Sequence, residues 1–234
     1  MQSVASRQGG RPPLIAVDDV VRVGRELGMH RLSINAVAAR LGVSATALYR
    51  HVESRWELER LVGESLLAEL ELREDPTADT ESHLLAFALQ LREFTAERPG
   101  LAPYLQVLFP RGDAGARLLA TEVEALGRRG YAADAAMVLS SAVATLAISL
   151  AAREENNAGA TQATGFSVER DAAAARLAGD AQLGAAHAGL PQVSNSELLR
   201  LLLAASIQGI VAAIPPGRPI GEVVARLSAA AGHR

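Results

Sequence analysis

The chain has 234 residues, of which 49% are hydrophobic, 3% aromatic and none cysteine, and its formal net charge is −3. This composition excludes a disordered chain, a disulfide scaffold and a cysteine-based active site, and the length predicts one large or two modest domains. The charge divides unevenly, because residues 1–55 hold eight Arg and four acids, a net +4, which leaves −7 for the remainder. A basic segment on an acidic body indicates a surface for nucleic acid, although an ordinary solvated surface is the alternative.

The N-terminal part shows the pattern of a helix-turn-helix. Residues 1–12 lack the apolar run of a secretory signal and are predicted to form a flexible leader. After a first helix, Ser33 and Gly42 mark the start and end of a short second helix, and Ser44 caps a third helix directly after a tight turn. In a helix-turn-helix the second of the two joined helices enters the DNA major groove. The domain is predicted to span residues 13–60.

A family resemblance is found between Leu32 and Leu58, over the sequence LSINAVAARLGVSATALYRHVESRWEL. This stretch resembles the DNA-binding domain of the TetR family of bacterial transcriptional repressors. The most specific part is A-L-Y-R-H-V-x-S-R-x-x-L at 47–58, in which Ser54 and Glu57 form a capping box for a fourth helix. The rest of the chain resembles the family's all-helical regulatory domain more loosely, nearest to the tetracycline-repressor branch. The resemblance implies an all-α fold and a homodimer that binds a palindromic operator in double-stranded DNA.

Ten residues of this domain are candidate DNA contacts. Small and polar groups at the start of the recognition helix can meet base edges, and Arg50 can read guanine or hold a phosphate. The resemblance implies phosphate contacts for His51 and Arg55 and a base contact for Asn35. Tyr49 packed between helices is one alternative, and the serines act as N-caps in any case. The candidates are Ser33, Asn35, Ser44, Ala45, Thr46, Ala47, Tyr49, Arg50, His51 and Arg55.

Residues 61–234 are predicted to form a helical regulatory, ligand-binding and dimerisation domain, since no period-two alternation indicates a sheet. Residues 156–193, rich in Ala, Gly, Asn and Gln, are predicted to be a long mobile connection with one short helix near 169–177. The run 132–152 and the helix capped by Ser194 are long and apolar enough to raise the question of membrane spans. Polar residues in both helices and the lack of aromatic belts argue against a membrane.

A helix that is apolar on all sides must be covered on all sides. We therefore predict that these two helices form an intermolecular four-helix bundle in a homodimer. Two recognition helices spaced by one DNA turn, about 34–36 Å, can then read a palindromic operator. The interface is predicted at Val138, Leu146, Leu150, Leu202 and Ile210.

The few large side chains of the middle third are candidates for an apolar ligand cavity with a few polar groups. For each residue, simple filling of the core is the alternative. The candidates are His83, Phe87, Leu91, Phe94, Tyr104, Gln106, Phe109, Met137, Ser141 and Thr145. Tetracycline repressors hold a metal-chelating inducer through a histidine on the helix that corresponds to residues 101–109. This chain has no histidine there, so neither tetracycline nor magnesium is expected.

Motifs of catalysis are missing from the sequence. The five histidines do not have the spacing of metal ligands, and no nucleophile, nucleotide-binding or dinucleotide-binding motif stands out. We therefore expect no enzyme, no cofactor and no metal. The leading hypothesis is a cytoplasmic homodimeric repressor that a small-molecule inducer releases from its operator. A small-molecule carrier with a vestigial DNA-binding domain and a helical enzyme are the alternatives.

Overall fold

The computed structural model describes residues 15–107, 109–161, 163–190 and 193–232, so the predicted leader lies outside the described residues. Within these ranges every regular element is a helix, which confirms the all-α prediction. The α-helices are α1 (Val17–Leu27), α2 (Ile34–Leu41), α3 (Ala45–Leu48), α4 (Arg55–Leu67), α5 (Thr80–Ala96), α6 (Leu101–Val107), α7 (Asp113–Arg128), α8 (Ala133–Thr161), α9 (Phe166–Gly179), α10 (Ala181–Ala188), α11 (Asn195–Ala213) and α12 (Ile220–Ala230). The chain forms two compact units, Met1–Val62 and Gly63–Arg234.

The first unit contains the predicted helix-turn-helix. Ser33 Oγ accepts a hydrogen bond from Ala36 N at 3.1 Å and so caps α2. Gly42 ends α2 with φ = 69°, a left-handed conformation that favours glycine, and Ser44 Oγ caps α3 by accepting from Ala47 N at 3.1 Å. Leu48 is fully buried and holds the short α3 against the rest of the unit. The helix-turn-helix prediction is therefore confirmed.

The start of α4 differs in one detail from the predicted capping box. Ser54 Oγ accepts from Glu57 N at 3.1 Å, as the motif requires. The Glu57 carboxylate, however, accepts from Glu53 N at 2.7 Å, one residue before the N-cap. Both bonds satisfy backbone N–H donors at the start of α4. The motif therefore still caps the helix, although Glu57 accepts from the residue before the N-cap and not from the N-cap itself.

The second unit is built around α8, against which α5, α6, α7 and α11 pack. Leu139, Val143 and Ala147 of α8 are fully buried. Because alanine and serine are frequent in this helix, its neighbours can approach it closely on several sides. The apolar run 132–152 therefore supplies the centre of the core, and the helix continues beyond it to Thr161.

Charged side chains connect the elements of the second unit at their ends. Arg92 of α5 and Glu154 of α8 form two parallel hydrogen bonds of 2.6 Å each, a geometry that favours arginine over lysine. Arg129, after α7, donates to the Glu74 carboxylate at 2.8 Å and to the backbone oxygen of Asp75. The guanidinium of Arg129 lowers the pKa of Glu74 from its ordinary value. These bonds fix the loop before α5 to the end of α7.

The prediction of a long mobile connection over residues 156–193 is wrong, although the one short helix predicted near 169–177 lies within α9. The segment continues α8 to Thr161 and then forms α9 and α10, which pack against each other. Alanine has the highest helix propensity, so helices form here without an apolar stripe. Neither α9 nor α10 contains a buried residue, and for this reason no hydrophobic periodicity reveals them.

By length and composition, α8 and α11 could each cross a membrane, a test that core helices of soluble proteins also pass. Their most apolar windows differ in burial: 56% of the α8 window is buried within the chain, but only 17% of the α11 window. Large apolar side chains of α11, among them Leu198, Leu201 and Leu202, are about half exposed. The chain itself therefore covers most of α8 and leaves one face of α11 open.

A close contact between α4 and α6 leads to a first prediction. A Cβ atom added to Gly63 would lie 2.4 Å from the Tyr104 ring, and Arg111 lies over that ring at 4.3 Å. Gly63→Ala is therefore expected to lower the free energy of unfolding by about 1–3 kcal/mol through overpacking. At Gly127 of α7 nothing lies within 4 Å of an added Cβ, and Gly127→Ala is expected to raise it by about 0.5–1 kcal/mol. Urea unfolding of both variants measures the two changes in the free energy of unfolding, which are expected to have opposite signs. Equal changes in the two variants would contradict the close contact at Gly63.

Candidate nucleic-acid interface and ligand cavity

All ten predicted DNA contacts are accessible on the surface of the first unit. Asn35, Ser44, Thr46, Tyr49, Arg50 and Arg55 are exposed, and Ser33, Ala45, Ala47 and His51 are half-buried. The Tyr49 side chain is 51% exposed and does not fill the space between helices. The short α3 and the residues that directly follow it thus present methyl groups, hydroxyls and one guanidinium, which are groups that can approach base edges in a major groove.

The arginines of this surface differ in their partners. Among the described residues, Arg40 and Arg50 have no ion-pair partner. Arg55 donates to Glu59 at 2.7 Å, but its side chain is 74% exposed, and such a surface pair contributes little to stability. A phosphate can therefore compete for Arg55 at low cost. Arg22 of α1 is bound to both Asp19 and Glu26.

A cavity of about 460 Å³ lies inside the second unit, within the size range of small-molecule sites. Its wall is formed by α5, α6, α7, α8, the end of α4 and the segments that follow α4 and α6. Six of the ten predicted cavity residues line it: Phe87, Leu91, Gln106, Phe109, Ser141 and Thr145. The remaining wall residues are Leu67, Leu70, Leu72, Leu105, Val107, Leu118, Leu119, Glu122, Ser140, Ala144, Ile148 and Ser149.

Four predicted cavity residues do not line this wall. Met137 is 48% exposed on the outside of α8. Tyr104 packs against Gly63, and Phe94 lies under the guanidinium of Arg98 at 3.7 Å. His83 is buried beside the cavity and bonded to a wall residue. An apolar helix such as α8 carries no sequence signal for which side faces a cavity, and this explains the placement of Met137.

Glu122 is the functional candidate that the sequence analysis missed. It is 3% exposed, lines the cavity, and accepts a hydrogen bond from His83 Nε2 at 3.1 Å through its Oε2. Its position was readable in principle, because Leu119, Glu122 and Leu126 follow one face of α7 at spacings of three and four. Within the described part of the chain, no group of three or more His, Asp or Glu could hold a metal ion.

The five residues of the predicted dimer interface are all accessible in the single chain. Val138 and Leu202 are 42% and 44% exposed, and Leu146, Leu150 and Ile210 are half-buried. They lie on α8 and α11, which pack against each other. The interface therefore stays a prediction, at positions that a partner could reach.

The fold and the two sites define a class of protein: a helix-turn-helix DNA-binding domain joined to an all-helical domain with a ligand-sized cavity. Residues 21–58 match the model of a family described as bacterial regulatory proteins, tetR family. This match assigns the helix-turn-helix segment of the chain to that family. No curated protein sequence matches it significantly.

Solved structures of low sequence identity share the fold. ActR from Streptomyces coelicolor without ligand is 20% identical with a TM-score of 0.69, over 85% of this chain and 98% of that chain. ActR in complex with actinorhodin is 21% identical with a TM-score of 0.70, over 87% and 99%. TetR-Q116A from Acinetobacter baumannii AYE in complex with minocycline is 18% identical with a TM-score of 0.58, over 85% and 95%.

Proposed function

We propose that the protein is a cytoplasmic homodimeric repressor, which a small molecule bound in the cavity releases from a palindromic operator. The observation that carries the proposal is a cavity of about 460 Å³ in a chain whose first unit is a DNA-binding domain. ActR and TetR, two proteins of the same fold, have been solved with small molecules bound. The proposal gives the chain no catalytic role.

Homodimerisation is supported by the open apolar face of α11. Leu198, Leu201 and Leu202 are each between 44% and 54% exposed, an arrangement that a second copy of the chain would cover. A symmetric dimer carries two recognition helices, and two helices related by a two-fold axis require a palindromic site. The proposal of a dimer therefore includes the proposal of a palindromic operator.

Release by a ligand requires that the ligand bind two states of the protein with different affinity. A molecule that prefers the state with low operator affinity shifts the population toward that state. The occupancy of the operator falls as a result. A molecule that binds both states equally shifts nothing, however tightly it binds. The cavity is where we place this differential binding.

The test is a footprint on the DNA that flanks the protein's own coding sequence, in two salt concentrations. We expect a symmetric protected site whose affinity falls as salt rises. Compounds that raise the thermal midpoint are then added, and those bound in the cavity are expected to remove the footprint.

The matched control for this test is Ser141→Phe, which fills the cavity from an accessible wall position. This variant is expected to keep the footprint and to lose its response to the compound. A protein that binds compounds but protects no DNA at either salt concentration would instead be a carrier, which is the alternative function.

A further inference from the structure

One acidic side chain, Glu122, lies in the wall of the cavity. Glu122 is the single charged residue among its described wall residues, and all 23 basic residues of the chain are Arg, none of which lines the cavity. The carboxylate is 3% exposed to solvent, so no bulk water surrounds it. A buried charge is costly unless hydrogen bonds or an opposite charge compensate it, and His83 is the one described residue bonded to this carboxylate. A cationic ligand would provide that compensation.

His83 fixes the orientation of this carboxylate. Its Nε2 lies 3.1 Å from Glu122 Oε2, and because an ionised carboxylate only accepts, the imidazole donates. His83 is 5% exposed and is not part of the cavity wall. The imidazole thus occupies one oxygen of Glu122 from behind the wall.

Two neutral hydroxyl groups of the wall also favour a donor on the ligand. Thr145 Oγ1 donates its hydrogen to Ser141 O at 2.8 Å, and Ser140 Oγ donates to Met137 O at 3.2 Å. A hydroxyl has one hydrogen and two lone pairs, so both side chains retain only acceptor capacity for a ligand. The other neutral polar residues of the wall are Gln106, Ser141 and Ser149, and apart from Glu122 the rest of the wall is apolar.

We infer that the cavity selects an apolar, aromatic-sized molecule whose polar end donates hydrogen bonds to Glu122, with an ammonium preferred to a hydroxyl and a carboxylate rejected. The inference rests on the proposed function only in treating the cavity as a ligand site. Charge-assisted hydrogen bonds are the strongest class available in such a site, and a like charge beside the carboxylate is repelled. We therefore expect the charge of a ligand to affect its affinity for the cavity more than any other property does.

The experiment uses four naphthalene probes of one size: 1-naphthylmethylamine, 1-naphthylmethanol, 1-methylnaphthalene and 1-naphthoate. Binding to the full-length protein is measured by naphthalene fluorescence at pH 7, where the amine is an ammonium. We expect the amine to bind at least about tenfold more tightly than 1-methylnaphthalene, with the alcohol between them and the naphthoate weakest. This ranking of the four affinities is measured on the wild-type protein alone.

Two variants of α7 locate the effect. Glu122→Gln keeps the shape and an acceptor for His83 but removes the charge, and it is expected to abolish the preference for the amine over the naphthoate. Glu124→Gln removes a carboxylate two residues away on the exposed side of the same helix and is expected to keep the preference. A preference that persists in folded Glu122→Gln, or that Glu124→Gln abolishes as well, overturns the assignment to Glu122.

Equal affinity for the amine and 1-methylnaphthalene, tightest binding of the naphthoate, or no binding of any probe also overturns the inference. The proposed function fails by a different measurement, a missing footprint on DNA in the absence of any probe. Amine binding with an unchanged footprint would uphold the ligand class and contradict ligand-induced release.

Discussion

Leu202→Glu is expected to convert the protein from a dimer into a monomer in sedimentation velocity at micromolar concentration. Leu202 is 44% exposed in the single chain, so the substitution leaves the protomer's core intact. In the proposed four-helix bundle the same position is buried, and an unpaired carboxylate there costs about 3–5 kcal/mol. Because every 1.4 kcal/mol is about tenfold in affinity, the dimer would dissociate at least about a hundredfold more readily.

The matched control is Leu183→Glu on α10, where an equally large apolar side chain is 52% exposed outside the predicted interface. It is expected to remain dimeric. A wild-type sedimentation coefficient for Leu202→Glu would show that α11 is not the interface, and dissociation of Leu183→Glu would move the interface to α10. Monomeric Leu202→Glu should also lose most of its operator affinity, since one recognition helix contacts half a site.

Arg50→Ala is expected to weaken operator binding by about 1–3 kcal/mol, or roughly 5- to 150-fold, with no loss of stability. Arg50 is exposed and has no ion-pair partner among the described residues, so its removal breaks no intramolecular bond. Tyr49→Phe isolates the contribution of the hydroxyl, because the ring remains. Both are measured by gel-shift titration against the footprinted operator.

Salt dependence distinguishes the two roles open to Arg50. If the guanidinium holds a phosphate, the slope of log affinity against log salt becomes smaller by about 1, and all sequences lose affinity equally. If it reads a guanine, the slope is maintained and substitution of that base pair no longer matters in the variant. Arg117→Ala, an exposed arginine of α7, serves as the control and should leave affinity and slope unchanged. Unchanged affinity in Arg50→Ala would exclude both roles.

The first unit was predictable because its signals are local. Ser33, Gly42 and Ser44 each act on backbone groups within a few residues, and the structure shows each of them at a helix end. The failure over residues 156–193 has the opposite cause, since periodicity reports burial and α9 and α10 bury nothing. Helices without a buried face leave only propensity as a signal, and in this segment glycine and asparagine weaken it.

The cavity was predictable only in part. Phe87 and Leu91 lie one turn apart on α5, and their common face follows from spacing alone. Met137 and Ser141 lie equally close on α8, yet only Ser141 lines the cavity, because the packing of several neighbouring helices decides which side of an apolar helix is open. Glu122 was missed since a charged residue within an amphipathic helix is normally assigned to the solvent side.

The hairpin formed by α9 and α10 is a part of the chain whose length can change without altering the core. Because these helices bury no side chain, residues added or removed here alter the core of a protomer very little. We therefore expect insertions and deletions to be tolerated in this hairpin, which lies between α8 and α11 in the sequence.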